Sequence, residues 1–259
     1  MKKHTSTTTP IRALPVTSNG ARYFFRGLEL ITHKSLRKFV FIPLLINIML
    51  FSTALYFMVL ELDHYMNVLL GWLPSWLDWL SMVLWPFAVL TILVVFSFIF
   101  SSAANWLAAP FNGLLSEKVE ALLSGDKPPE EGAFAVIKDI PRTLKREASK
   151  LYYYLPRAIG FFIIMWFLPV IGQIIWFLFV TWMMAIQYKD YPFDNHKVPF
   201  NEMKVALKQK QGLSYSFGAT IAIFSMLPII NFIVMPVAIC GATAIWVDHY
   251  KNNFVTRTY

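Results

Sequence analysis

A single cysteine, Cys240, occurs in 259 residues, which excludes a disulfide framework and a cysteine-based metal site within one chain. Histidine is scarce too. His4, His33, His64, His196 and His249 share no helix-face spacing and none pairs with a cysteine, so no metal-ligand set is expected. The sequence contains neither a Gly-x-x-x-x-Gly-Lys-Ser/Thr loop nor a Gly-x-Ser-x-Gly elbow, which argues against an ATPase and a serine hydrolase. No catalytic residue, cofactor or metal follows from the sequence. Charge is sparse, at 15% of residues, and acids are the rarer sign, with 15 Asp and Glu against 23 Lys and Arg. A net charge of +8 in a soluble domain would point to nucleic acid, but no arginine-rich helix, RNA motif or zinc-finger spacing accompanies it. Residues 1–20 are polar and threonine-rich with no cleavable apolar core behind them, so they read as a loose cytoplasmic tail rather than a signal peptide.

What the chain has in abundance is apolar sequence. It is 57% hydrophobic and 17% aromatic, with a mean hydropathy of +0.53, a composition that implies a membrane protein. Phe24, Leu28, Ile31 and Leu36 recur at helical spacing among Arg22, Arg26, Glu29 and Lys34, which predicts a short amphipathic helix lying on a membrane surface. A first span is expected over residues 39–60, with Glu61, Asp63 and His64 ending it. Trp72, Trp76, Trp79 and Trp85 follow and suit the headgroup level. Residues 86–123 form a second stretch, uncharged up to Glu117. As a helix it would run about 57 Å against a hydrocarbon core of about 30 Å, so it leaves the membrane while still helical. Asn105, Trp106, Pro110, Asn112 and Gly113 mark that exit, where a kink is expected.

No Lys or Arg occurs from Phe39 to Glu117, which places the connection between the two spans outside by the positive-inside rule. The basic segment from Leu123 to Arg157 is then cytoplasmic. Two further uncharged stretches, 158–188 and 211–247, flank a loop carrying Lys189, Lys197, Lys204, Lys208 and Lys210. If each stretch crossed once there would be four full spans and those lysines would lie outside. If each entered and returned, every Lys and Arg would be cytoplasmic. Phe167-Leu168-Pro169-Val170-Ile171-Gly172 is echoed by Met226-Leu227-Pro228-Ile229-Ile230-Asn231, which favours return. The first motif turns the chain about 11 residues into its stretch, and an arm of roughly 16 Å cannot cross. The predicted fold is an all-α integral membrane protein of two long transmembrane helices plus two helical hairpins that partly penetrate the bilayer, with four full spans as the alternative. Turning backbone at membrane depth needs protein or a water-filled cavity around it, which favours an oligomer or a pathway.

Arg37-Lys38 directly precedes the first span. Cations there fix orientation in any membrane protein. They also stand at a helix N-terminus, whose free amides and partial positive charge suit a divalent oxyanion. Asn105, Asn112, Glu117 and Glu120 are pathway candidates on the long second helix, though an ordinary solvated helix exit has the same composition. Glu117 carries the wrong sign for an anion ligand and is expected to gate or to be neutralised by a nearby cation. Asp190-Tyr191-Pro192-Phe193-Asp194-Asn195-His196-Lys197 reads as a capped turn before a helix near Pro199, with Phe200, Met203 and Leu207 on its membrane-facing side.

Several of these stretches resemble one family, the CysZ sulfate permeases of bacterial inner membranes. The likeness lies in Gly27 with Leu36-Arg37-Lys38-Phe39-Val40 and Pro43, in residues 104–115 (Ala104-Asn105-Trp106-Leu107-Ala108-Ala109-Pro110-Phe111-Asn112-Gly113-Leu114-Leu115), in Asp190 to Phe200 and in Met235-Pro236-Val237-Ala238. It implies sulfate uptake feeding cysteine synthesis, with sulfite a related oxyanion, in a homo-oligomeric multi-pass protein of the inner membrane whose termini are both cytoplasmic. It also implies sulfate binding at Arg37 and Lys38, with Gly27 beside them. Where the family's pattern has two arginines this chain has Lys38, which lacks an arginine's forked contact. The contrasting expectation is a membrane scaffold or assembly factor without transport activity, recruiting partners through its basic cytoplasmic face.

Overall fold

The computed structural model describes residues 16–72, 74–125 and 133–255. Among them the chain is all-helical: α1 (Gly20–Ile31), α2 (Arg37–Gly71), a 3-10 turn (Ser75–Leu80), α3 (Ser81–Ser124), α4 (Ala133–Phe167), α5 (Pro169–Asn195), α6 (Phe200–Gln209), α7 (Gln211–Ser225), α8 (Pro228–His249) and α9 (Lys251–Val255). It divides into two units, Lys38–Phe111 and Met1–Arg37 with Asn112–Tyr259.

The Lys38–Phe111 unit holds most of α2 and α3 around the 3-10 turn. Both helices exceed the apolar stretches that predicted them. Glu61, Asp63 and His64 close the apolar run but not the helix, because nothing at those positions breaks backbone pairing, and α2 continues to Gly71. The second helix begins at Ser81, not Pro86, so Pro86 lies in its second turn. It is assigned unbroken to Ser124, across the expected kink. The side chains of residues 96–110, Asn105, Trp106 and Pro110 included, lie outside the described residues. Phe41, Leu45, Met49, Phe57, Phe87 and Leu90 are exposed, as are Trp72, Trp76 and Trp79. Such an apolar exterior belongs in lipid or against protein.

In the other unit α8 is the core. Val234, Val237, Ala238, Ile239, Cys240, Ala242, Ala244, Ile245 and Trp246 are all buried, so the apolar run that predicted a membrane hairpin arm is largely covered by protein. α1 lies along α7 and α8 and packs against both. It does not lie on a surface alone, because Tyr23, Phe24 and Leu30 are buried in that seat, with Phe24 stacked on Phe224 at 5.0 Å. Phe25 and Leu28 stay exposed. The tail is held from residue 17 onward: Thr17 accepts through its carbonyl from His249 at 3.0 Å, Asn19 caps α1, and the Gly20 amide donates to Ser216 Oγ at 2.7 Å. Residues 1–15 of the predicted tail are outside the described residues.

α4 and α5 form an antiparallel pair, with Phe161 5.0 Å and Tyr154 5.5 Å from the Phe179 ring. The helix break falls at Leu168, one residue before Pro169, and the second at Met226-Leu227, before Pro228. Gly172 is required at the first break, where a Cβ would run into the Met165 backbone. By length and composition one helix among the described residues, α5, can cross a membrane. Asp190–Asn195 is the end of that helix rather than a capped turn, because ion pairs hold both aspartates. The turn follows at His196–Pro199, with Lys197 at φ 57°. In α6, Met203 and Leu207 are fully buried and Phe200 half-buried, so that face is turned into the protein and not toward a membrane.

Candidate functional site

The predicted oxyanion residues sit at the start of α2. Arg37 is exposed and its Nε donates to the Thr32 carbonyl at 2.7 Å. Its amide already donates to His33 at 3.1 Å, so one of the amides expected to be free is taken. Lys38 is also exposed, with Nζ 5.2 Å from the centroid of Phe39. Gly27 lies where α1 crosses α8, and a Cβ there would overlap the Val237 carbonyl oxygen and press on the Gly241 amide. Close helix contact therefore accounts for this glycine without any ligand.

At the end of α3, Asn112 and Glu120 meet the Asp190–His196 run, while the side chain of Asn105 lies outside the described residues. Asn112 is buried and its Nδ2 donates to the Tyr191 hydroxyl at 3.3 Å. One residue on, the Gly113 carbonyl accepts from Asn195 at 3.1 Å, and Ser116 pairs with Thr243 at 2.9 Å. Glu117 is half-buried and engaged by its surroundings. Glu120 is buried and meets His196 Nε2 at 2.8 Å and Lys251 Nζ at 3.1 Å, while His196 stacks on Trp246 at 4.9 Å. Burial alone would raise the Glu120 pKa. His196 and Lys251 outweigh it and hold the carboxyl below its ordinary value. Lys251 thus pairs with the Glu120 carboxylate and His196 hydrogen-bonds it.

Sequence reasoning missed a buried ion network between α4 and α5. Asp190 accepts from Arg146 Nε at 2.8 Å and pairs with Lys150 at 3.0 Å, and Asp194 pairs with Arg142 and, at 3.3 Å, with Arg146. Arg146, Lys150 and Asp190 are all buried. Burial by itself would lower the Lys150 pKa, but Asp190 and Glu147 reverse that and raise it. Two acids in the last turns of α5 oppose the helix dipole, so they need cations from elsewhere. The signal was present: Arg142, Arg146 and Lys150 repeat every four residues, as do Asp190 and Asp194.

Among the described residues the chain is all-helical, with apolar side chains exposed on α2 and α3 and one helix able to cross a bilayer, which fits a membrane protein. The chain belongs to the family described as Sulfate transporter CysZ/Etoposide-induced protein 2.4, which matches residues 23–236.

Proposed function

We propose that this protein carries sulfate across the bacterial inner membrane into the cytoplasm and so supplies cysteine biosynthesis. The family match over residues 23–236 carries this reading. Arg37 and Lys38 form a sulfate-binding site at the start of the first span, with Gly27 fixing the helix before them. The α3 exit, with Asn105, Asn112, Glu117 and Glu120, borders the pathway. Because Lys251 pairs with the Glu120 carboxylate and His196 hydrogen-bonds it, a passing dianion meets less repulsion there. Sulfate entering against an inside-negative potential of 100 mV costs about 4.6 kcal/mol, at about 2.3 per charge. Transport is thus channel-like down an assimilation-maintained gradient, or proton-assisted. Both termini are cytoplasmic, the 158–188 and 211–247 hairpins re-enter, and copies assemble to cover the turning backbone.

The test is sulfate flux into proteoliposomes. The parent passes sulfate and Arg37→Ala/Lys38→Ala loses both binding and flux. A parent protein that passes no anion, with or without a proton gradient, would place it instead among scaffolds.

A further inference from the structure

Lys189 on α5 is 1% exposed. It differs from the other buried cations in having no carboxylate partner among the described residues. Its ammonium donates one hydrogen bond, to Ser214 Oγ at 2.9 Å, and lies over the rings of Phe217 and Tyr250 at 5.8 and 5.9 Å. A second ammonium, that of Lys210, lies 5.7 Å from the same Tyr250 ring and 3.2 Å from His249 Nδ1. The Tyr250 hydroxyl is buried, with Ser214 beside it as a weak partner and no well-formed hydrogen bond.

Burial and Lys210 pull the Lys189 pKa down to about 7, and among the described residues nothing in its immediate surroundings balances the charge it carries when protonated. Asp190, next in sequence, is taken by Arg146 and Lys150, and Asp248 accepts from Arg26 and Tyr23 at 2.8 and 2.9 Å. Ser214 turns its own proton to the carbonyls of Leu207 and Lys210. Burial and Lys210 hold His249 below the ordinary histidine value, against the Thr17 carbonyl and Asp248, so the imidazole adds no charge. A buried ammonium with one neutral acceptor is costly, as is a buried hydroxyl without a well-formed bond. One occupant relieves both, an anion that accepts from two ammonium groups and a phenol.

We propose that Lys189, Lys210 and Tyr250, where the end of α5 meets the start of α7 and the end of α8, form a binding site for a small inorganic oxyanion, separate from Arg37 and Lys38. Under the topology proposed above, on which this last step rests, the cluster lies at the cytoplasmic ends of its helices and reads the internal oxyanion concentration.

The test uses purified full-length protein carrying Arg37→Ala/Lys38→Ala, so that failure of the transport reading leaves it intact. Melting is followed as sulfate replaces gluconate at constant ionic strength. At roughly ten-fold excess over Kd, sulfate raises the melting temperature by about 3–6 °C. Lys189→Met removes the unpaired charge, so this variant melts higher than its parent without sulfate and no longer responds to it. Lys210→Gln, at a half-buried position, loses the response as well, and Tyr250→Phe weakens it. No sulfate shift in the background protein, or an equal shift in Lys189→Met or in Lys210→Gln, overturns the proposal.

Discussion

Asp190 serves two cations of α4 at once, and removing it strands both. With Arg146 and Lys150 buried beside it, Asp190→Ala is expected to cost about 3–5 kcal/mol, measured by denaturation in detergent. Asp194→Ala, whose Arg142 partner is about a third exposed, costs less. At Glu120 the sign of the pH effect follows from a folded-state pKa held below its ordinary 4.5. Its contribution is fully present above the unfolded pKa and is lost as pH falls through the lower folded value. The gap in melting temperature between parent and Glu120→Gln therefore narrows as pH drops below about 4.5. At the start of α2, Lys38→Arg should keep or tighten sulfate binding through added planar donors, read by calorimetry.

Helices were the more legible level. The two Leu-Pro motifs placed both breaks within a residue or two, because a proline at a helix start and a glycine in a tight turn act locally. α4 was not legible as one helix. Its sequence changes from basic to apolar near Arg157, and charge reports which phase a segment occupies rather than whether its backbone is paired. Nor could α1 be seated from periodicity, since an amphipathic helix suits a lipid surface or a protein groove equally. Gly27 carried the missing information. Gly27→Leu is expected to lift α1 from α8, because the obstacle is backbone, and limited proteolysis should then cleave within residues 16–31. Asp190 and Arg146 stand 44 residues apart, and spacing within each helix does not say which helices meet.

For the whole molecule, the long apolar stretches predicted the all-helical class, while the share of apolar sequence that serves as protein core was hidden. α8 is as apolar as a lipid-facing helix yet is covered by its neighbours. Topology can be tested at Gln209, which is exposed on α6. The one native thiol, Cys240, is buried, so a Gln209→Cys variant gives a clean signal. It should react with an impermeant thiol reagent only after the cytoplasmic side is opened. Labelling in intact spheroplasts would mean four full spans.

The seat of α1 also sets an order of events during synthesis. Tyr23 and Arg26 bond to Asp248, and Gly20 to Ser216, at separations of 225, 222 and 196 residues. The first helix to leave the ribosome thus has no partner until α7 and α8 have been made, and at about 5–20 residues per second that wait exceeds ten seconds. Its amphipathic face, read from the sequence as a surface helix, gives it a place to wait on the bilayer. A chain stopped after Lys210 should therefore keep α1 membrane-associated but exposed to protease, and protection of residues 16–31 should arise only once the last helices are complete.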